Sequence, residues 1–367
     1  MNMETSQTFV SANEREKIAA LQKMWPGITK QQYQDDQWTR FFQYMDLGLT
    51  KLRDNSSLFS ITGSSEALRL IEILRLNESH PKATLSGMVM PRNTSQDQTE
   101  LGAIHRSLEL AARLWLTINI DSFQLTSYLV HIHSRSIAWE DGESLTGIIS
   151  AYFKPKSIPT LEGRIRPILT MAYLEARHGF QVRWTHNLAE HLIIDWKYRT
   201  VTIYEHLICL WNHLEGGGVQ VIPKTILEEA IDTLNLLFPS ESKETQDYLR
   251  KHGRTFWKLG YCKGKRALDV GRYSYWQDSV QQLMDVIEEP VTGFRQFRLD
   301  KERKNMLEFA TFWTAAVVAF LTILSIVFGT VATVYTIKQY KIAVAGYDLQ
   351  RAQACASQGT FLPQYCS

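Results

Sequence analysis

The chain has 367 residues, 44% of them hydrophobic, which is enough for one large domain or two small ones plus a further segment. Residues 309–367 hold three basic residues and one acidic residue, so residues 1–308 hold 37 of each. A neutral N-terminal part argues against a nucleic-acid-binding protein, because phosphate contacts need a clustered excess of Lys and Arg.

The N-terminus begins MNMETSQTFVSANEREK, with no basic region followed by an apolar core. This composition is not that of a secretory signal, so we expect the N-terminal part to reside in the cytosol. Residues 1–30 are largely polar, with one short amphipathic stretch at 14–24. They are predicted to form a flexible N-terminal arm.

Residues 31–290 are predicted to form one mainly helical cytosolic domain. Apolar side chains recur there at spacings of three and four residues, most clearly from residue 100 to 117. Residues 77–98 are predicted to be a loop, and three consecutive glycines place a possible sub-boundary at 214–224. The predicted helices include 38–53, 100–117, 125–133, 145–153 and 164–178, with Gly179 as a helix stop. Further helices are predicted after a cap at Ser64 or Ser65, from a capping box at Thr225 to a point before Pro239, and through Trp276 and Ile287 to a stop at Pro290.

After Gly179, apolar residues recur at every second position. Phe180, Val182 and Trp184 alternate with polar residues, as do Val201 and Ile203. A third short strand is predicted at 192–195, and Trp184 is predicted to be buried. The fold class is therefore mainly α, an α+β domain with a small β-sheet near 180–204. The hairpin at 192–204 is also typical of winged-helix DNA binders, but the neutral charge leads us to expect no nucleic acid partner.

Histidines concentrate in the middle of the chain, where HNLAEH resembles the helix of zinc proteases. His186 and His191 are five residues apart, however, which turns them ~140° away from each other on a helix. We therefore predict no metal site, no cofactor and no catalytic residues. One alternative stays open: Glu190 and His191 could meet Glu205 and His206 across the small sheet and form an enzyme site.

Residues 250–272 hold eight basic residues and one acidic residue, with three aromatic residues between them. The stretch could lie on the anionic cytoplasmic leaflet of a membrane, where each Lys or Arg adds ~1 kcal/mol. It could equally be a solvated helix pair whose charges are balanced by distant acids. The candidate lipid contacts are Lys258, Lys263, Lys265 and Arg266.

Residues 309–337 form a run of 29 residues without Asp, Glu, Lys or Arg. About 20 apolar residues cross a bilayer, so this run is predicted to be a transmembrane helix. Aromatic residues at both ends are typical of membrane interfaces. Small residues recur every four positions at Ser325, Gly329 and Thr333, which indicates a possible helix–helix contact and a homodimer through the span.

The charges beside the span predict its orientation. The basic juxtamembrane segment 291–308 carries five Lys or Arg residues, whereas the equal window after the span carries three. This bias places the N-terminus in the cytoplasm and the short tail 338–367 in the lumen or outside the cell. Cys209 and Cys262 should then stay reduced, whereas Cys355 and Cys366 would be free to form a disulfide.

Five stretches stand in a fixed order along the chain: RLWLTINI (113–120), RWTHNLAEHL (183–192), TVTIYEHLICL (200–210), RYSYWQDSV (272–280) and TFWTAAVVAFLTILSIVFGTV (311–331). In this order they resemble a large group of uncharacterised single-span membrane proteins of filamentous fungi. The resemblance implies a cytosolic domain followed by a C-terminal anchor. It implies no activity, ligand or catalytic residue.

Two function classes are consistent with these patterns. The first is a membrane-anchored cytosolic interaction or scaffold protein, whose partners are the lipid bilayer and other proteins. The second is a membrane-tethered enzyme with its site near Glu190, His191, Glu205 and His206. A channel subunit is disfavoured, because the span contains no ionisable residue to line a pore.

Overall fold

The structure is a computed structural model, and it describes residues 8–30, 33–90, 98–121, 135–155, 163–216, 220–256, 266–289 and 306–358. The chain divides into two compact units, Met1–Pro290 and Val291–Ser367. The described part is mainly helical with one small three-stranded sheet, which confirms the predicted α+β class.

The N-terminal unit is built from short and medium helices around one apolar core. Its described helices are α1 (Glu14–Met24), α2 (Asp35–Asp54), α3 (Ser64–Leu76), α4 (Lys82–Val89), α5 (Gln98–Leu116), α6 (Leu145–Tyr152), α7 (Met171–Tyr173), α8 (Leu207–Glu215), α9 (Lys224–Leu237), α10 (Lys243–Lys251) and α11 (Gln277–Glu288).

Helix α5 lies at the centre of the first half of this unit and packs against α2, α3 and α4. Its apolar stripe, which includes Ile104, Leu108, Ala111 and Trp115, is at most 1% exposed. A stripe this wide suits a helix with several neighbours. The prediction of a helix at 100–117 is therefore confirmed to within two residues.

The predicted arm at 1–30 is ordered and packed from residue 8 onward, so that prediction is wrong for its described part. Asn13 and Glu16 form a capping box at the start of α1, each side chain bonding the other's backbone N–H. Leu21 and Trp25 are buried, and α1 packs against α3. The apolar face of this helix is part of the domain core.

Two further segments differ from their predictions. The predicted loop at 77–98 contains α4, which places Leu85 in the core. The predicted helix at 164–178 is helical only in α7 and in a π-helical turn at Leu174–His178. Gly179 ends that turn with φ of 76°, a left-handed conformation in which glycine carries no steric cost.

The predicted helix caps also differ. Helix α3 has Gly63 as its N-cap, and α9 begins after Pro223 without the predicted capping box at Thr225. Helices α8 and α9, which flank the predicted sub-boundary at 214–224, pack against each other within the same compact unit.

The sheet consists of β1 (Gln181–Thr185), β2 (Ile194–Asp195) and β3 (Thr200–Tyr204), in the order β1-β3-β2. β1 runs parallel to β3, with Trp184 opposite Ile203, and β2 is antiparallel to β3. The predicted strands are confirmed. Trp184 is half-buried rather than buried; its ring stacks on Phe238 and lies 5.1 Å from the guanidinium of Arg254.

The described residues of the C-terminal unit form one long helix, α12 (Met306–Gln358). It includes a stretch of mean hydropathy 2.4 of which none is buried, so it is long and apolar enough to cross a membrane. The helix continues beyond the predicted span of 309–337 and takes in most of the predicted tail. Cys355 is disulfide-bonded, and its partner lies outside the described residues.

Five threonine hydroxyls of α12 are hydrogen-bonded within the helix itself. They donate to backbone carbonyls three or four residues earlier, at 2.7–2.9 Å. A polar group that is satisfied inside its own helix does not need water, which suits a helix surrounded by lipid. These donors are Thr311, Thr322, Thr330, Thr333 and Thr336.

Candidate functional site

Three side chains with metal-binding or acid–base chemistry lie at one edge of the sheet. His186 directly follows β1, and Glu205 and His206 directly follow β3. Because β1 and β3 are parallel, their carboxyl ends meet at the same edge, where the sites of open α/β sheets commonly lie. A hydrogen bond from the Glu205 N–H to the Thr185 carbonyl, at 3.1 Å, fixes the register at this point.

The ligand atoms of the three side chains converge. Nδ1 of His186 lies 2.8 Å from Nε2 of His206 and 2.9 Å from Oε1 of Glu205. All the ligand atoms of the cluster lie within 4.8 Å of one another. A carboxylate oxygen and a second imidazole nitrogen therefore face Nδ1 of His186, and a proton or a cation must lie between these three atoms.

The surroundings of the cluster hold each side chain in place. The second carboxylate oxygen of Glu205 forms an ion pair with Arg254 at 2.6 Å. The His206 ring contacts the rings of Phe41 and Tyr44, with centroids 6.0 and 5.5 Å away. The side chains of Glu205 and His206 are buried, whereas that of His186 is 42% exposed. The cluster is thus rigid on its inner side and open to solvent at His186.

Burial and neighbouring charges set the protonation states. Burial lowers the pKa of His206 to about 3, and the positive charge of a protonated His186 acts in the same direction. For Glu205, burial raises the pKa, but hydrogen bonding to His186 and the nearby positive charges outweigh it and lower the pKa to about 2. At neutral pH the cluster therefore presents a neutral imidazole and a carboxylate.

Glu190 and His191, the other half of the predicted enzyme site, are not part of this cluster. Glu190 accepts hydrogen bonds from Thr185 and from the backbone of Arg135. His191 is buried and bonds to Thr233 at 2.7 Å. Buried polar side chains in a domain interior are normally hydrogen-bonded in this way, so we assign Glu190 and His191 a role in stabilising the fold.

Among the candidate lipid contacts, only Arg266 lies in the described part of the chain. Its guanidinium donates to the backbone carbonyls of Pro167, Leu169 and Leu236, which ties three segments of the domain together. Lys258, Lys263 and Lys265 lie outside the described residues, and the lipid-contact prediction now rests on them alone.

The predicted helix–helix face on α12 is open. Ser325, Gly329 and Thr333 lie on one side of the helix and are exposed, and a Cβ added to Gly329 would meet no atom within 4 Å. A second helix could therefore approach this face closely, and the homodimer stays a prediction.

His186 is the member of the cluster that the sequence patterns do not identify as a candidate site residue. The spacing of His186 to His191 rules out a shared helix face, but His186 directly follows strand β1 and does not lie in a helix. The sequence does carry one indication of the site, which is the position of these residues. Each of the two segments with alternating apolar residues is followed directly by residues that can bind a metal or transfer a proton. These are His186 after the first segment and Glu205–His206 after the second. That signal becomes decisive only if the two strands are known to be parallel neighbours.

Comparison with known proteins found no matching family model, no similar curated protein and no similar solved structure. The predicted resemblance to fungal single-span proteins therefore stays a prediction.

Proposed function

We propose that this protein is a single-pass membrane protein that holds its N-terminal domain at the cytoplasmic face of a membrane as an interaction module. The observation that carries the proposal is the exposed apolar surface of α12. Phe320, Ile323, Ile326 and Phe328 are each more than 60% exposed. So continuous an apolar surface is unfavourable in water and favourable in the hydrocarbon core of a bilayer.

Two observations support an N-terminus in the cytoplasm. The segment before the span has five basic residues against three in the equal window after it, as the positive-inside rule requires. Cys209 in the N-terminal unit is a buried free thiol, whereas Cys355 is disulfide-bonded. Disulfides persist in oxidising compartments, so this difference agrees with a tail on the far side of the membrane.

The turn between β2 and β3 provides a contact surface suited to protein partners. Trp196 and Tyr198 are 51% and 67% exposed there. The turn is fixed by a hydrogen bond from the Tyr198 N–H to Asp195, and by one from the Arg199 guanidinium to the His178 carbonyl. Exposed Trp and Tyr on a fixed turn bind partners at low entropic cost, and they dominate the binding energy of many interfaces.

Affinity purification of the tagged full-length chain tests the interaction role. We expect the Trp196→Ala/Tyr198→Ala variant to lose the partner proteins that the unaltered chain retains. Removing one anchor residue commonly weakens the free energy of binding by ~2 kcal/mol or more, which lowers the affinity at least ~30-fold per residue. Tyr152→Ala, which alters an aromatic residue that is 36% exposed elsewhere on the domain, serves as the matched control. If the double variant retains the same partners as the unaltered chain, the turn is not the interaction surface.

A membrane-tethered enzyme is the second candidate function. The observation that favours it is the position of His186, Glu205 and His206 at the carboxyl edge of two parallel strands, with one side open to solvent. A carboxylate and two imidazoles can move protons or hold a cation there.

A further inference from the structure

The cluster of His186, Glu205 and His206 has the composition of a transition-metal site. Two imidazoles and one carboxylate recur as the protein ligands of zinc hydrolases and of non-haem iron enzymes. Imidazole nitrogen suits Zn²⁺, Fe²⁺ and related ions, whereas Mg²⁺ and Ca²⁺ prefer sets of oxygen ligands. The donor set therefore selects a divalent first-row transition metal.

The distances between the ligand atoms fit such an ion. Zn²⁺ lies about 2.0–2.1 Å from imidazole nitrogen and from carboxylate oxygen, so neighbouring ligand atoms are about 3.3 Å apart at tetrahedral angles and about 2.9 Å apart at octahedral angles. The two short contacts of His186 Nδ1 measure 2.8 Å to His206 and 2.9 Å to Glu205. An ion could thus be bound once the ligand atoms move apart by about 0.5 Å or less.

A single shared proton satisfies these three atoms less well than a metal ion would. If both imidazole nitrogens carried protons, the two hydrogens would collide across 2.8 Å. If only His186 carries one, that N–H must divide between His206 and Glu205, and one contact is left poorly made. A cation at the centre satisfies all three atoms together.

The groups around the three ligands complete a metal site. Arg254 binds the outer oxygen of Glu205 at 2.6 Å and leaves Oε1 free to bind an ion. Such an outer partner orients a ligand and holds it ionised. The exposed side of His186 leaves a path for the ion and room for further ligands from solvent.

We infer that His186, Glu205 and His206 bind one divalent transition-metal ion, of the Zn²⁺ or Fe²⁺ class, with a coordination position open to solvent. The inference is independent of the interaction role proposed above.

Isothermal titration of the metal-stripped full-length protein in detergent, with Zn²⁺ as the probe and excess Mg²⁺ present, tests the inference. We expect one Zn²⁺ per chain, and we expect His186→Ala to weaken binding by ~100-fold or more, since loss of even an outer partner commonly costs 10–100-fold. His80→Ala is the matched control, because His80 is also exposed but lies away from the cluster. It should leave Zn²⁺ binding unchanged.

Co²⁺ gives a second readout. Bound by two imidazoles and a carboxylate, it should produce visible absorption bands that Zn²⁺ displaces and that His186→Ala lacks. Because His186 is partly exposed, circular dichroism should show His186→Ala to be folded, which separates loss of a ligand from loss of structure. Absence of Zn²⁺ binding by the unaltered chain, or equal binding by His186→Ala, would overturn the metal site and leave a hydrogen-bonded histidine pair.

Discussion

Replacing Lys82 with Met should destabilise the N-terminal unit by about 3–5 kcal/mol, because it leaves a buried carboxylate without its counter-charge. Lys82 is 2% exposed and forms an ion pair at 2.5 Å with Glu109, which is 5% exposed. The same ammonium donates to the Trp139 carbonyl at 2.9 Å. Domains of this kind are stable by only about 5–15 kcal/mol, so the loss would be a large share of the total.

Urea unfolding of the full-length protein in detergent, followed by tryptophan fluorescence, measures this effect. Lys154→Met is the matched control, because Lys154 is exposed and its replacement should change the unfolding free energy by less than about 0.5 kcal/mol. Removing both charges with Lys82→Met/Glu109→Met should recover most of the loss, since apolar pairs commonly replace buried ion pairs at little cost. A Lys82→Met variant as stable as the unaltered chain would show that the pair is not buried as described.

Introducing two arginines into the middle of the apolar run should remove the protein from membranes. In Leu321→Arg/Phe328→Arg each arginine costs about 2.5–3.5 kcal/mol near the centre of a spanning helix, so the pair costs about 6 kcal/mol. Both side chains are highly exposed on α12, at 57% and 68%, so the change disturbs no packing within the helix unit. We expect the unaltered chain to stay in the pellet after alkaline carbonate treatment of membranes and the variant to be lost from it.

The same helix offers a matched control for this experiment. Ile342→Arg/Leu349→Arg places two arginines at the same seven-residue spacing, on side chains 73% and 62% exposed, beyond the predicted span. This variant should remain in the pellet. Extraction of the unaltered chain by carbonate, or equal retention of both variants, would contradict a span at 309–337.

Elements fixed by local sequence could be predicted. Helix α5 follows from a stripe of apolar residues at helical spacing, and the strands β1 and β3 follow from their alternation. Helix α12 follows from the length of its apolar run.

Elements fixed by contacts between distant residues could not be predicted. Helix α4 has only eight residues, and its buried Lys82 depends on Glu109, 27 positions away. The loop at 274–276 is held by three backbone N–H groups that donate to Glu229 at 2.7–2.8 Å, across about 45 residues. No local pattern marks either contact.

Only part of the candidate site could be predicted, because the rest depends on contacts between residues that are distant in the sequence. Glu205 and His206 are adjacent in the sequence, and the alternation of apolar residues before them predicts that they follow a strand. Their true neighbour, His186, depends on the direct parallel pairing of β1 and β3. Parallel strands need a crossover connection, and its path is set by the fold rather than by the strand residues.

The central claim is that the N-terminal unit lies on the cytoplasmic side of a membrane, and a protease-protection assay tests it most directly. The assay uses the full-length chain in sealed vesicles whose interior corresponds to the cytoplasm. We expect external protease to remove an epitope placed after residue 358 while the N-terminal unit stays intact until detergent is added. Digestion of the N-terminal unit in sealed vesicles, or glycans at Asn55, Asn77 or Asn93, would place the domain on the opposite side and contradict the account.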